Sequence, residues 1–227
     1  MKRRRKWTYW LFVRIPLWFV ALSLALVGLF KVVPVYYTPL MLVRYCQGER
    51  NFEREWKPLK DISSEMVKAV IASEDSRFAT HHGFDWEEIH KMMEEHRTKG
   101  KKIRGCSTIS QQTAKNVFTF GSSTLVRKGF EAWYTVLIEL IWGKQRIMEV
   151  YLNVAETGPG IYGVQAAAKH YYKIPASKLK RRQAASIAIC LPNPRYYKPT
   201  GNSKYINRRR NSIVSRIPKT DYPDWVE

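Results

Sequence analysis

Cysteine is scarce: Cys46, Cys106 and Cys190 are the only three among 227 residues, an odd number at wide, unpatterned spacing. They build no disulfide framework, no CxxC pair and no zinc motif, so the compartment cannot be read from them. Acidic residues are also few, 19 Asp and Glu against 39 Lys and Arg, which leaves a net charge of +20. An excess of that size bears on partners more than on fold. It points to an anionic polymer, an anionic membrane or a phosphorylated substrate. No alternating strand pattern of useful length occurs, and no internal repeat or low-complexity tract. The histidines at 81, 82, 90, 96 and 170 form no metal pattern, because His90 and His96 stand six apart on one predicted helix and not four. Gly158-Pro159-Gly160-Ile161-Tyr162-Gly163 spells GxGxxG, yet a helix-like run precedes it and the later Lys178-Leu179-Lys180-Arg181-Arg182 carries no acid. A dinucleotide fingerprint needs a strand before it and a carboxylate after it, so this stretch reads as a glycine loop.

Long hydrophobic runs are limited to one. Lys2-Arg3-Arg4-Arg5-Lys6 precedes an apolar stretch whose charge-free part, Ile15 to Phe30, has 16 residues. That is roughly 24 Å of helix against a hydrocarbon core of about 30 Å. Extension to Trp10 and Val33 closes the gap if Arg14 and Lys31 snorkel to the headgroups, with Trp7, Tyr9, Trp10, Tyr36 and Tyr37 as aromatic belts. A cleaved signal peptide is the alternative; the run is long for one, and Lys31-Val32-Val33-Pro34-Val35 is a poor cleavage site. The basic cluster before the span places the N-terminus in the cytoplasm and the rest of the chain outside. An enzyme there has no ATP, NAD or nucleotide sugar at hand and must use a pre-activated or hydrolysable substrate.

The expected organisation is a basic tail at 1–9, a transmembrane helix at 10–33, a connector at 34–60 and one mostly α domain at 61–227. Within it, Ser63 or Ser64 caps a helix carrying Val67, Val70, Ile71 and Glu74. A charged helix follows from about Asp85 to Arg97, then a basic, mobile loop at 98–104. Ser107 looks like the N-cap of the next helix. Further helices are expected at Val126 to Ile141, Lys144 to Val154, Val164 to Tyr172 and Leu179 to Cys190, the last stopped by Leu191-Pro192-Asn193-Pro194.

Three groups can carry chemistry. Val67, Ile71, Glu74 and Phe78 share one helix face, so the Glu74 carboxylate points to the apolar side near the helix C-terminus. Burial and the negative helix end both disfavour its ionisation and suit a general acid or base. A core arginine satisfying it is the plainer reading, but Asp75, His81 and Asp85 follow within eleven residues. The helix from Ser107 to Asn116, with Thr108, Gln111, Gln112 and Lys115, has almost nothing to bury. It is either a solvated surface or the wall of a cleft for a hydroxyl-rich or phosphorylated ligand. Arg127, Lys128 and Glu131 supply a second carboxylate and, with Lys115, a cationic clamp for a diphosphate; a surface ion pair between Arg127 and Glu131 is the plainer alternative.

Glu74-Asp75-Ser76-Arg77-Phe78-Ala79-Thr80-His81-His82-Gly83-Phe84-Asp85 resembles the first motif of the peptidoglycan glycosyltransferases. Gly105 to Asn116 resembles the second, with Cys106 where Gly or Ala is usual. Arg127 to Glu139, Arg146 to Asn153 with the glycine loop, and Leu191 to Pro194 are similar to the third, fourth and fifth, all in the family's order. The resemblance implies a lysozyme-like, two-lobed helical domain behind a single anchor in the inner membrane, with the catalytic domain periplasmic. It implies the monofunctional biosynthetic branch, which transfers a glycan linked to undecaprenyl diphosphate onto the GlcNAc 4-hydroxyl of lipid II. That inverting step forms a β-1,4 bond and releases polyprenyl diphosphate.

By the same resemblance Glu74 is the base. Glu131 is the second carboxylate, orienting Lys115 and Arg127. Asp75, His81, Ser107, Thr108, Gln111, Gln112, Lys115, Asn116, Arg127 and Lys128 bind substrate. No cofactor is obligatory; Mg2+ or Mn2+ is expected only with the diphosphate, and no protein metal ligand is assigned. Expected partners are lipid II, lipid-linked nascent peptidoglycan, acidic headgroups near Tyr36, Tyr37 and Trp56, and other cell-wall synthesis proteins, with no nucleic acid. The basic loop at 98–104 is expected to close over the diphosphate. A lytic enzyme on a related fold would have no use for a diphosphate clamp. A non-catalytic polyanion binder would explain the charge but not two carboxylates beside a polar helix.

Overall fold

A computed structural model describes residues 10–101, 105–120 and 124–226, with Leu11 described by its backbone only. The basic tail at 1–9 and residues 102–104 of the expected mobile loop lie outside the described residues. The chain divides into two compact units at Pro34 and Val35. In the first, a π-helical turn at Trp10–Arg14 runs into α1, Ile15–Val32. Phe12–Val32, with a mean hydropathy of 2.1, is long and apolar enough to cross a membrane.

The second unit is mostly α, as the sequence predicts. The stretch read as a connector holds more order than expected. It contains α2, Pro39–Cys46, whose N-cap Thr38 accepts from the Met41 amide and whose first position is proline. It also contains strand β1, Glu53–Arg54, and a 3-10 turn at Leu59–Asp61.

Helix α3, Ser64–Glu74, is central, with Met66, Val67, Ala69, Val70, Ile71 and Ala72 all buried. Large apolar side chains of this kind contribute about 1.5–3 kcal/mol each. Ser63 is its N-cap by position, but the hydroxyl donates to the Leu179 carbonyl and not into the helix. Helix α4, Trp86–Lys99, has no buried residue; Asp85 caps it, and Gly100 ends it in the left-handed conformation.

Helix α5, Ile109–Phe118, corrects two expectations. Its N-cap is Thr108 and not Ser107, in a reciprocal capping box with Gln111. It also has a great deal to bury: Ile109, Ser110, Thr113, Ala114, Asn116 and Val117 are all inside. The hydroxyls on that face are satisfied locally, Thr113 donating to Ile109 O and Ser110 to Glu139 Oε1 at 2.5 Å.

Helices α6, Leu125–Ile141, and α7, Gly143–Val154, pack against α5. The glycine loop turns between strands β2, Glu156–Gly158, and β3, Ile161–Tyr162, with β1 on the far side of β3 in a small three-stranded sheet. Gly163, at φ +80°, leaves that sheet so close to α7 that a Cβ there would stand 2.6 Å from Asn153 O.

Helices α8, Val164–Tyr172, and α9, Arg181–Cys190, follow, and α9 lies along α3. Helix α10, Lys204–Arg216, which the sequence reading did not anticipate, packs on α9 and α3. Two groups of helices result, α3–α9–α10 and α5–α6–α7. The C-terminus of α3 and the N-terminus of α5 meet between them.

Candidate active site

That meeting is held by Asp75. Its carboxylate takes His81 Nε2 at 2.8 and 3.0 Å and the Ile109 amide at 2.9 Å, so the residue after α3 anchors the first turn of α5. Thr108 Oγ1 donates to Gly83 O at 2.7 Å. The Gly83 turn in its turn lies against α6, where a Cβ would come within 2.9 Å of Thr135. Asp75, His81 and Thr108 are buried; the Asp75 carboxylate, His81 Nε2 and the Thr108 hydroxyl engage one another or the backbone, while His81 Nδ1 has no hydrogen-bond partner among the described residues. Asp75 and Thr108 thus brace the cleft and also line its first cavity, where the sequence reading expected substrate contacts, while His81 braces Asp75. Gln111 likewise has its side-chain oxygen on the Thr108 amide.

On this frame sit two cavities. The first, about 870 Å³, is lined by Ser73, Glu74, Asp85, Glu88, Cys106 and Ser107, with Lys91, Lys101 and Arg216 among its cations. Glu74, the last residue of α3, lies half-buried in its wall. Burial pushes its carboxyl above the usual range, against hydrogen bonds from Gln112 and Ser73 that pull it down. Cys106 donates to the Met92 sulfur at 3.2 Å. Burial raises its thiol pKa, helped by the charges of Glu88 and Asp85.

The second cavity, about 370 Å³, carries the opposite sign. Lys115, Arg127, Arg44 and Arg195 line it together with Gln112, Asn116 and Tyr151, against the single carboxylate of Glu156. Glu156 is itself bridged by Arg44 and Arg195 at 3.2 Å each. The Lys115 ammonium makes no hydrogen bond or ion pair among the described residues, and the residue stands exposed in the cleft. Crowding by protein lowers its pKa, with Arg127 and Lys128 adding to that and Glu131 and Glu74 opposing.

Glu131 is 1% exposed, so its link to Arg127 is no surface pair. Its oxygens take Arg127 at 2.6 Å and Lys128 at 2.5 Å. The residue expected to orient Lys115 and Arg127 thus binds Arg127 and Lys128, and reaches Lys115 only through its field.

Gln112 joins the two cavities. Its Nε2 donates to Glu74 Oε2 and to Ser107 O at 3.3 Å each, and its Oε1 accepts from Tyr151 at 3.1 Å. Tyr151, fully buried on α7, was not singled out by the sequence reading, nor were Arg44 and Arg195. Arg44 lay in the supposed connector, and no spacing links positions 44, 156 and 195. Among the described residues no three His, Cys, Asp or Glu side chains gather in a way that could hold a metal ion.

This arrangement has relatives. The family model described as Transglycosylase matches residues 41–218. A biosynthetic peptidoglycan transglycosylase of Caulobacter vibrioides is 47% identical over 194 residues, 86% of this chain and 84% of that protein. One from Bacteroides thetaiotaomicron is 48% identical over 211 residues, covering 89% and 85%. One from Chromohalobacter salexigens is 46% identical over 214 residues, covering 92% and 91%. With the family model spanning most of the chain and relatives at this identity and coverage, the chain belongs to the peptidoglycan transglycosylase family.

Proposed function

We propose that the protein polymerises peptidoglycan glycan chains, moving a lipid-diphosphate-linked glycan onto the 4-hydroxyl of lipid II. The observation that carries the reading is the division at Gln112, with a carboxylate in one cavity and four cations in the next. Glu74, with its pKa raised by burial, takes the proton of the attacking hydroxyl. Lys115 and Arg127 hold the donor diphosphate and stabilise the charge that develops as it leaves, with Arg44 and Arg195 behind them. Attack and departure from opposite sides of the anomeric carbon invert its configuration. Glu131 acts as a positioning residue that fixes Arg127 at the cavity wall.

The substrates are lipids, and the second unit carries a surface that suits them. Leu125 on α6 is 91% exposed, and Val126, Phe130, Val136 and Leu140 of the same helix are exposed as well. That apolar helix face fits a catalytic unit resting on the bilayer to which Phe12–Val32 anchors the chain. On this reading the basic tail is cytoplasmic and the catalytic unit periplasmic. No cofactor is obligatory on this reading, and a divalent cation that took part would be held by the oxygens of the substrate diphosphate. EDTA is then expected to slow the reaction and leave the Tm of the substrate-free protein unchanged, whereas a fall in that Tm would point to a protein-held ion.

The test is lipid II polymerisation by the detergent-solubilised protein. Wild type is expected to make polymer, and Glu74→Gln to lose about a thousandfold or more in rate. Glu131→Gln is expected to lose less than Glu74→Gln, through misplacement of Arg127. A Glu74→Gln variant with near-normal polymerisation would remove the assigned base and with it the mechanism.

A further inference from the structure

Directly after Leu191–Arg195, which line the cationic cavity, the chain exposes a cluster of tyrosines. Tyr196 is 75% and Tyr205 40% exposed. The rings of Tyr197 and Tyr205 stack at 5.5 Å with planes 22° apart, and Tyr196 meets Tyr197 edge-on at 5.1 Å. They line a surface groove of about 570 Å³ whose polar fringe is Lys198, Asn202 and Ser203. That volume lies within the range of roughly 300–1,000 Å³ usual for ligand sites.

The groove is rigidly backed. Arg210 of α10 is buried beneath it, donating to Pro199 O at 3.2 Å, to Gly201 O at 3.0 Å and to Ser186 Oγ on α9 at 2.6 Å. The loop between Tyr197 and Tyr205 is therefore fixed to two helices before any ligand arrives. The tyrosines are joined to the cleft by the chain itself, since Tyr196 directly follows Arg195 of the cationic cavity.

Exposed, preorganised aromatic faces with a hydrogen-bonding rim suit a ligand that alternates apolar C–H faces with polar edges. A β-1,4-linked amino sugar chain has that character: its pyranose faces pack on rings, and its hydroxyl and acetamido groups reach the rim. Asn202 accepts from Asn207 through Oδ1, while its Nδ2 makes no hydrogen bond among the described residues and so remains a donor for an acetamido carbonyl. A purely aliphatic ligand would not use Lys198, Asn202 and Ser203.

We infer that Tyr196, Tyr197 and Tyr205 form a platform that holds the growing glycan as it leaves the cationic cavity, and so sets how many additions occur before release. The inference rests on the polymerase reading and adds a glycan site outside both cavities.

Its test compares wild type with a Tyr196→Ala/Tyr205→Ala double variant and its Phe counterpart. Mean glycan length is expected to fall about threefold or more in the Ala variant, while initial lipid II consumption stays within about twofold; Phe at both positions restores length. Unchanged length, or loss of rate in parallel with length that Phe does not rescue, overturns the platform. Binding of a β-1,4-linked N-acetylglucosamine hexamer, followed by protection of tyrosines from nitration, is the second readout. Protection of Tyr197 in wild type that the Ala variant loses supports the site even if wild type makes no polymer, which would instead defeat the polymerase reading. Absence of protection in wild type overturns the site.

Discussion

The phenol of Tyr151 donates to Gln112 Oε1 at 3.1 Å across 39 positions of sequence, and this sets which end of the amide faces Glu74. Ser107 O can only accept, so the Nε2 end must turn toward it, and Glu74 Oε2 lies on that same side. Loss of the phenol hydroxyl frees the amide to rotate. Tyr151→Phe is expected to lower kcat/KM about three- to tenfold, the worth of one buried hydrogen bond.

The same geometry has a pH signature. The Gln112 amide stabilises the ionised form of Glu74, while burial opposes ionisation. Gln112→Ala removes the stabilising hydrogen bond, so the acid limb of the kcat/KM profile should move to higher pH. A limb that stayed in place or moved down would show that Glu74 does not control it.

Glu74 also couples activity to stability with a definite sign. Its folded pKa lies above the unfolded value, so the stability it contributes is full below about 4.3 and is lost as pH rises through the folded pKa. Glu74→Gln should therefore raise the Tm at pH 7 to 8 and lose that advantage in acid. Tm measured against pH for both proteins decides it; equal values at neutral pH would argue that the carboxylate carries no burial cost.

Two cations of the second cavity should separate cleanly. Arg127→Ala leaves the buried Glu131 with Lys128 alone and is expected to cost about 3 kcal/mol of stability. Lys115 has no such partner, so Lys115→Ala should change stability by less than about 0.5 kcal/mol. Its polymerisation rate should nonetheless fall about a hundredfold, since a preorganised charge on the leaving group is lost. Denaturant unfolding beside the lipid II assay tests both halves.

Gly163→Ala places a side chain at φ +80° and 2.6 Å from Asn153 O. Backbone strain together with displacement of α7 should cost about 2 kcal/mol or more. A loss under about 0.5 kcal/mol in urea unfolding would mean that the turn relaxes freely.

Regular apolar periodicity made several helices legible in advance. Val164–Tyr172 begins and ends where its pattern does, and α3 brings Glu74 to the cleft wall as its spacing requires. Helix α10 escaped notice because its buried stripe, Ile206, Arg210 and Ile213, has an arginine in the middle. Helix α2 carried a signal in Thr38-Pro39, an N-cap followed by proline, that its lack of sustained period obscured. Within the site, residue type pointed to Glu74, Gln112, Lys115 and Arg127. It could not tell that Asp75, His81 and Thr108 also brace the cleft, because a polar group that frames a cleft and one that faces it have the same composition. Only their partners tell them apart, and those lie 25 to 34 positions away for Thr108 with Gly83 and for Asp75 with Ile109.

Helix α7 grips the chain that leads into α3. Asn153 binds both the amide and the carbonyl of Lys57 at 2.8 Å, and Glu149 takes the Leu59 amide at 2.8 Å. Between those two residues on the helix stands Tyr151, whose hydroxyl holds Gln112. A pull on the backbone ahead of Lys57 thus meets a clasp before it reaches α3, and the load passes into the helix that fixes the Glu74 amide partner. The Glu74 carboxylate is strain-relieved in the way a cable is clamped short of its connector, so tugging on the chain ahead of Lys57 should loosen Asn153 and Glu149 before it displaces Glu74.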